Sequence, residues 1–343
     1  MPVARTLTPP PAAASPSSAD PLAALLSRVR AAPPGVPAPL WEAALVGPTA
    51  EFLNRPGKKF RGRLVSLAWA LAGGRDAPPA ELPLLVELLH AGSLIVDDIE
   101  DGSIQRRGKA ALHRLIGLPA ALNLGNWLYF WPLTLLKTLD LPPAIELALH
   151  RASADAIRVC HEGQALDLAA RVGDLYPADV ISVCRVIGER KTGALLGLAA
   201  ELGGTAAGGE PDTRDALRAF GSELGVGLQM LNDLGELTGT AGPIKHPEDL
   251  VNGRVTWPWA WAAERLPSGA FDALQMRGAK LAAGSGDAGA LAGDLLAALG
   301  PDPMRAVREH LARARRDLAA AVGPHPALDT VRSEVDRLLR TAA

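Results

Sequence analysis

Apolar residues recur at helical spacing in nearly every segment of this chain, and no run of alternating β-branched residues stands out. That pattern predicts an all-α bundle. Its clearest stretch is 84–108, LLVELLHAGSLIVDDIEDGSIQRRG, which predicts a helix packed along most of its length, then a cluster of acids and a pair of arginines. An α-helix turns about 100° per residue, so Asp97 and Asp101 share a face with Asp98 beside them. His90 lies on that face, about 10 Å up the axis. Like charges at this spacing destabilise a bare helix. A hard divalent cation removes the penalty, and Mg²⁺ held by a few carboxylates usually carries substrate phosphates on its other positions. Arg106 and Arg107 supply planar donors suited to diphosphate oxygens. A solvated acidic helix end followed by a basic turn explains an isolated DDxxD equally well.

Composition narrows the classes. The 343 residues can bury a large core, and 48% of them are hydrophobic. A net charge of −2 gives no reason to expect nucleic acid, and no Lys/Arg run suggests a polybasic anchor. No uncharged apolar run reaches the ~18–20 residues of an integral membrane segment. The two cysteines, Cys160 and Cys184, fall in helical patterns and read as core residues in a reducing compartment. Residues 1–20 are Pro/Ala/Ser-rich, lack a secretory apolar stretch and are expected to be a disordered tail. Residues 21–343 are expected to form one cytoplasmic all-α domain, opening with an amphipathic helix over 21–31.

Further along, 58–71 (KKFRGRLVSLAWAL) places cations on the first turn of an apolar helix. Positive charge there opposes the helix dipole and needs a compensating anion. The segment ALNLGNWLYFWPLTLL is apolar on nearly all sides and is expected to be buried, with Trp127, Tyr129, Phe130 and Trp131 in the core. Over 142–172, Asp167 sits on a mostly apolar helix and needs a partner if buried. At 189–193, ERKTG puts Lys191 and Thr192 before an apolar helix; a lysine reaching solvent or a kink near an anion both account for it. In 214–238, Gln229, Asn232, Asp233 and Glu236 recur at helical spacing and face one groove.

Taken together, DDxxD followed by four residues and RRG, preceded by ELLHAGSLIVDD, resembles the trans-isoprenyl diphosphate synthases (polyprenyl synthetases). Over 56–258 further motifs occur in that family's order: Gly-Lys-Lys-Phe-Arg, Gly163-Gln164-x-x-Asp167, Lys191-Thr192-Gly193 and GLQMLND. The resemblance implies the isoprenoid synthase fold, a helical bundle with two acidic motifs facing across a central cavity. It implies a Mg²⁺-dependent condensation of isopentenyl diphosphate with an allylic diphosphate, with three ions bound alongside substrate, in a homodimer. Its catalytic residues would be Asp97, Asp98, Asp101 and Lys191. Asp97 and Asp101 would hold metal, completed by Asn232, Asp233 or Glu236. Arg106, Lys191, Thr192, Gln229, Lys245 and Arg254 would meet the allylic diphosphate. Lys58, Arg61, His90 and Arg107 would meet isopentenyl diphosphate.

The second acidic motif departs from the family: Asn232 and Glu236 stand where aspartates are usual, which removes one charge and predicts weaker metal binding. In IKHPEDLVNGRVTWP the interval from Lys245 to Asp249 is one residue short, and Arg254 replaces lysine. Gly92, five before Asp97, and Ser93 are expected to leave the prenyl tunnel open there, so a product of C20 or longer is expected, with Trp127 or Phe130 as a deeper floor. Two other readings compete. A terpene cyclase on the same fold would need no second diphosphate pole, and a non-catalytic partner subunit would need neither DDxxD nor RRG.

Overall fold

The computed structural model describes residues 26–27, 29–57, 59–239 and 248–340. The expected tail over 1–20, most of the helix over 21–31, and Lys58 and Lys245 lie outside them. The described chain is helical throughout apart from one two-stranded hairpin. None of its helices is long and apolar enough to cross a membrane.

After a helical turn (Ala38–Trp41) and a π-helical stretch (Glu42–Val46) come α1 (Gly47–Leu53), α2 (Phe60–Leu71) and α3 (Glu81–Glu100), the expected DDxxD helix. α3 buries two sides. Leu82, Leu85, Val86 and Leu89 join the main core, while Leu88, Ala91 and Ile95 join a second cluster. A helix apolar on both sides makes a partition wall, and its C-terminal acids stand at the end of that wall. The helix stops at Glu100, short of the arginines. The chain then forms a hairpin, β1 (Gln105–Arg106) against β2 (Lys109–Ala110). Arg107 and Gly108 hold its turn with φ of +55° and +75°, the left-handed pair that a two-residue hairpin loop demands. Helical periodicity carries no trace of so short a hairpin.

α4 (Leu118–Phe130) closes onto α3 where two glycines meet. A Cβ on Gly92 would lie 2.9 Å from the Gly125 carbonyl oxygen. α4 is not buried all round, as its composition suggested: Leu118, Leu122 and Phe130 are exposed, Phe130 by 68%. After a 3₁₀ segment (Trp131–Thr138) come α5 (Pro143–Ala169) and α6 (Pro177–Ile187). A π-turn (Gly188–Gly193) leads into α7 (Ala194–Ala206).

α7 is the buried centre, with Leu195 through Ala200 and Leu202 through Thr205 all enclosed among α2, α5 and α8 (Pro211–Thr238). Its sequence, ALLGLAAELGGTA, offers small residues on every side, which lets four helices approach closely. Beyond α8 lie α9 (Glu248–Val251), α10 (Trp257–Arg265), α11 (Ser268–Ala282), α12 (Ala288–Leu299), α13 (Arg305–Val322) and α14 (Ala327–Arg340). α10 buries Trp257, Trp259 and Trp261 beneath the second acidic motif, α13 backs α8, and α14 is tied to α2 through Arg63 and Glu334.

Candidate active site

The ends of α3, α5 and α8, the π-turn and α9 enclose a cavity of about 630 Å³. Asp97, Asp101, Asn232, Asp233 and Glu236 all line it, so the two acidic motifs do share one space. Asp167 stands just behind that wall, and Asp249 joins the lining.

At the first pole the carboxylates are covered by the protein's own cations. Lys191 Nζ lies 2.7 Å from Asp167 Oδ2 and 3.2 Å from Asp97 Oδ1. Arg106 Nη2 reaches Asp97 Oδ2 at 3.4 Å, and Gln164 donates to Asp97 Oδ1 at 3.1 Å. Arg254, 4% exposed, donates to Asp101 Oδ1 at 3.0 Å and to the Asp167 carbonyl. The local backbone explains how these groups meet. The π-turn is the kink that Lys-Thr-Gly suggested, and such turns cluster at functional sites. Gly163 lets α5 touch it: a Cβ there would overlap the Lys191 backbone nitrogen. Asp167 therefore has the partner its burial required, and Lys191 is aimed at Asp97 rather than at solvent.

Protonation follows from this crowding. Burial alone would raise the Asp97 pKa, but Lys191 and Arg106 outweigh it and hold it below the usual range. Burial, then the charge on Asp97, push Asp101 up to about 6. Burial and Asp249 push Asp233 up to about 8. Burial and the charges on Asp167 and Asp97 raise Asp249. Lys191 is held charged, its burial outweighed by Asp97 and Asp167.

The second pole lies where α2 begins. Arg61, half-buried, has its Nε enclosed without a hydrogen-bond partner. Burial lowers its pKa to about 10, and burial with Arg61, Arg107 and Arg106 around it keeps His90 neutral. Arg107 lies across Gly57, where a Cβ would be 2.9 Å from its Nη1. Cations gathered around a neutral imidazole, with an unused buried donor, leave a charge and a hydrogen bond that an anion could meet.

Several expected roles change. Asp98 is absent from the cavity lining; it is fully buried, and its Oδ1 takes the Arg106 Nε at 2.7 Å. It therefore orients Arg106. Asp233 has both oxygens engaged, by Gln229 Nε2 at 2.7 Å and the Trp257 backbone N–H at 2.9 Å, in a chain that begins at Thr192 Oγ1. Glu236 accepts from the Asp249 N–H at 2.7 Å and so anchors α9. Asn232 is exposed towards the cavity. Gly92 packs against Gly125 and Leu128 and does not line the cavity, while Ser93 does. Trp127 stacks on Trp131 at 4.8 Å and Phe130 faces out, so neither lines the cavity. The aromatic in the lining is Tyr129, edge-on to His161 at 4.7 Å. Asp249 stood in the sequence as a spacing marker only; a carboxylate beside Arg254 in a motif loop was the signal for it.

The donor set fits a hard cation. Carboxylates that raise one another's pKa in a half-enclosed space are relieved by a divalent ion. Among the described residues no three His, Cys, Asp or Glu side chains are placed to grip one alone.

Residues 42–278, over two thirds of the chain, match the Polyprenyl synthetase family. The chain belongs to the polyprenyl synthetase family. Geranylgeranyl pyrophosphate synthase 2 of Zymoseptoria tritici is 31% identical over 235 residues, covering 67% of this chain and 68% of that protein. The decaprenyl diphosphate synthase of Rhodobacter capsulatus superposes with a TM-score of 0.76 at 22% identity, covering 94% and 95% of the two chains. A polyprenyl synthase from Caulobacter crescentus, complexed with calcium and isoprenyl diphosphate, superposes at 0.72 with 25% identity over 93% of each. The synthetase thus has the all-α isoprenoid synthase fold and is a prenyltransferase. The family uses isopentenyl diphosphate and an allylic diphosphate, and neither the cyclase nor the silent-subunit reading is favoured.

Proposed function

We propose that the synthetase condenses isopentenyl diphosphate with an allylic diphosphate, in the presence of Mg²⁺, to a polyprenyl diphosphate of C20 or longer. The observation that carries this is two groups of cations at one cavity: Lys191 and Arg106 line it at the acids with Arg254 behind Asp101, and Arg61 lines it beyond them with neutral His90, Arg107 lying behind across Gly57. A cyclase or a scaffold has no use for the second pole.

Asp97 and Asp101 would hold Mg²⁺, which when bound would carry the allylic diphosphate oxygens and neutralise the charge that builds on the leaving group. Lys191 and Arg254, displaced from their carboxylates, would turn to those oxygens. Arg106, held by Asp98, would meet them in place. Thr192 and Gln229 would fix the height of α8 against the π-turn, and Asp233, held by Gln229 and Trp257, would offer metal the lone pairs those bonds leave free. Asn232 would add a carbonyl oxygen. Arg61, Arg107 and neutral His90, which can both donate and accept, would seat isopentenyl diphosphate so that its alkene meets the allylic carbon. Leu89, Leu94, Ile157 and Leu195 keep water from the cation formed there. The departing diphosphate takes the final proton. Tyr129 and His161 stand where the growing chain would arrive, and they replace Trp127 and Phe130 as the floor.

Residues 21–343 are taken as one unit, supported by a core running from Phe60 to Leu338. A homodimer is supported by the exposed Leu118, Leu122 and Phe130 stripe on α4, and a cytoplasmic location by two free thiols. The test supplies Mg²⁺ and an allylic diphosphate with and without isopentenyl diphosphate. Elongation only with both is expected. A hydrocarbon from the allylic substrate alone, or no turnover of either, would overturn the reading.

A further inference from the structure

One buried charge has no part in the chemistry above. Arg55 is 2% exposed and does not line the cavity. A buried guanidinium is costly unless its donors are used and its charge is met. Glu51, one turn earlier on α1, meets the charge: Arg55 Nη2 lies 2.8 Å from Oε2 and Nε 3.1 Å from the same oxygen. The Phe52 ring lies beneath it, 5.1 Å from Cζ.

The remaining donors leave the helix. Arg55 Nη1 donates to the Arg106 carbonyl at 3.2 Å, and Nη2 to the Ala110 carbonyl at 2.9 Å. These oxygens sit on the two arms of the β1–β2 hairpin, so one planar group straddles it. The hairpin has only two residues per strand, too few to be stable unaided. Its turn places Arg107, a residue with a Cβ, at φ +55°, a conformation that persists only where the surroundings enforce it. From that turn Arg106 points to Asp98 and Asp97, and Arg107 lies across Gly57 towards Arg61 and His90. The side chain at 55 thus stands behind the turn that serves both anion poles.

We propose that Arg55 is a positioning residue: by clamping both arms of the hairpin it sets Arg107, and with it the seat of the second diphosphate, without touching substrate. This rests on the condensing reading above. The two poles should respond unequally. Arg106 is also held by Asp98, whereas Arg107 depends on its backbone.

The test compares wild type with Arg55→Gln, Arg55→Lys and Glu51→Gln, each measured well below its thermal midpoint. For Arg55→Gln the half-saturating isopentenyl diphosphate concentration is expected to rise about tenfold or more, the allylic one about threefold or less, with kcat at saturation nearly kept. Arg55→Lys, whose single ammonium cannot span both carbonyls and the carboxylate, falls between and keeps the inference testable if the glutamine variant fails to fold. Glu51→Gln lowers the midpoint but leaves both half-saturation values near wild type. A second readout titrates inorganic diphosphate into the metal-free proteins, where the Arg55 variants should bind it about tenfold more weakly than wild type. A lowered midpoint with unchanged half-saturation and unchanged diphosphate binding would show Arg55 to be structural only and overturn the inference. A wild type that elongates nothing would instead defeat the condensing reading, and the diphosphate titration would still judge Arg55.

Discussion

Lys191 and Arg254 occupy the carboxylate oxygens of Asp97 and Asp101, so on the proposed reading binding of metal and of diphosphate would be linked at these side chains. Lys191→Met is expected to lower kcat by about 10²-fold, as loss of one donor to a developing charge does, while the acids lose a counter-ion. Steady-state rates with both substrates check it. The acids also predict a pH dependence. Asp101 and Asp233 have folded pKa values of about 6 and about 8, above those of an unfolded chain. The stability they contribute is full at acid pH and is lost as pH rises through those values. The thermal midpoint of the metal-free protein should therefore fall between about pH 4 and 8, and Mg²⁺ with inorganic diphosphate should flatten the fall. Asp233→Asn should remove its upper part. At the tunnel wall, Ser93→Phe is expected to shorten the product, read by chain length. Gly92→Phe is expected to lower the midpoint by overpacking against Gly125, a cost of about 1–3 kcal/mol or more.

Two elements hold the site in shape, and they were legible to different degrees. DDxxD, Gly-Gln-x-x-Asp and Lys-Thr-Gly could be placed on helices from the residues alone, because acids and lysines in apolar periodicity stand out. What they touch could not be read. That Asp98 points inward and Asp97 into the cavity is a matter of which side of α3 meets the second core, and both residues have the same chemistry. The hairpin was missed because four residues carry no period. Gly92 was misplaced because a glycine in a helix marks a close approach without saying to what. The π-turn makes a sharper prediction: Gly163→Val would push α5 off Lys191 and is expected to abolish elongation while far-UV circular dichroism stays helical. On α4, Leu122→Glu with Phe130→Glu is expected to halve the particle mass in light scattering.

At the scale of the whole molecule, the bundle does one thing with its buried helices. α3 and α8 bring acids to one space, α7 holds them at a fixed distance, and α2 with the hairpin adds the second cationic pole. The fold class was plain from periodicity, since nearly every segment repeats at helical spacing. The central position of α7 was not, because an apolar helix does not reveal how many neighbours it has. The central claim is that two diphosphates are held at once. Its most direct measurement is calorimetric titration of isopentenyl diphosphate into the synthetase already saturated with Mg²⁺ and a non-ionising thio analogue of the allylic diphosphate. One equivalent should bind to the wild type, and Arg61→Ala should abolish that binding while leaving the analogue in place. Isopentenyl diphosphate that fails to bind until the analogue is washed out would contradict the account.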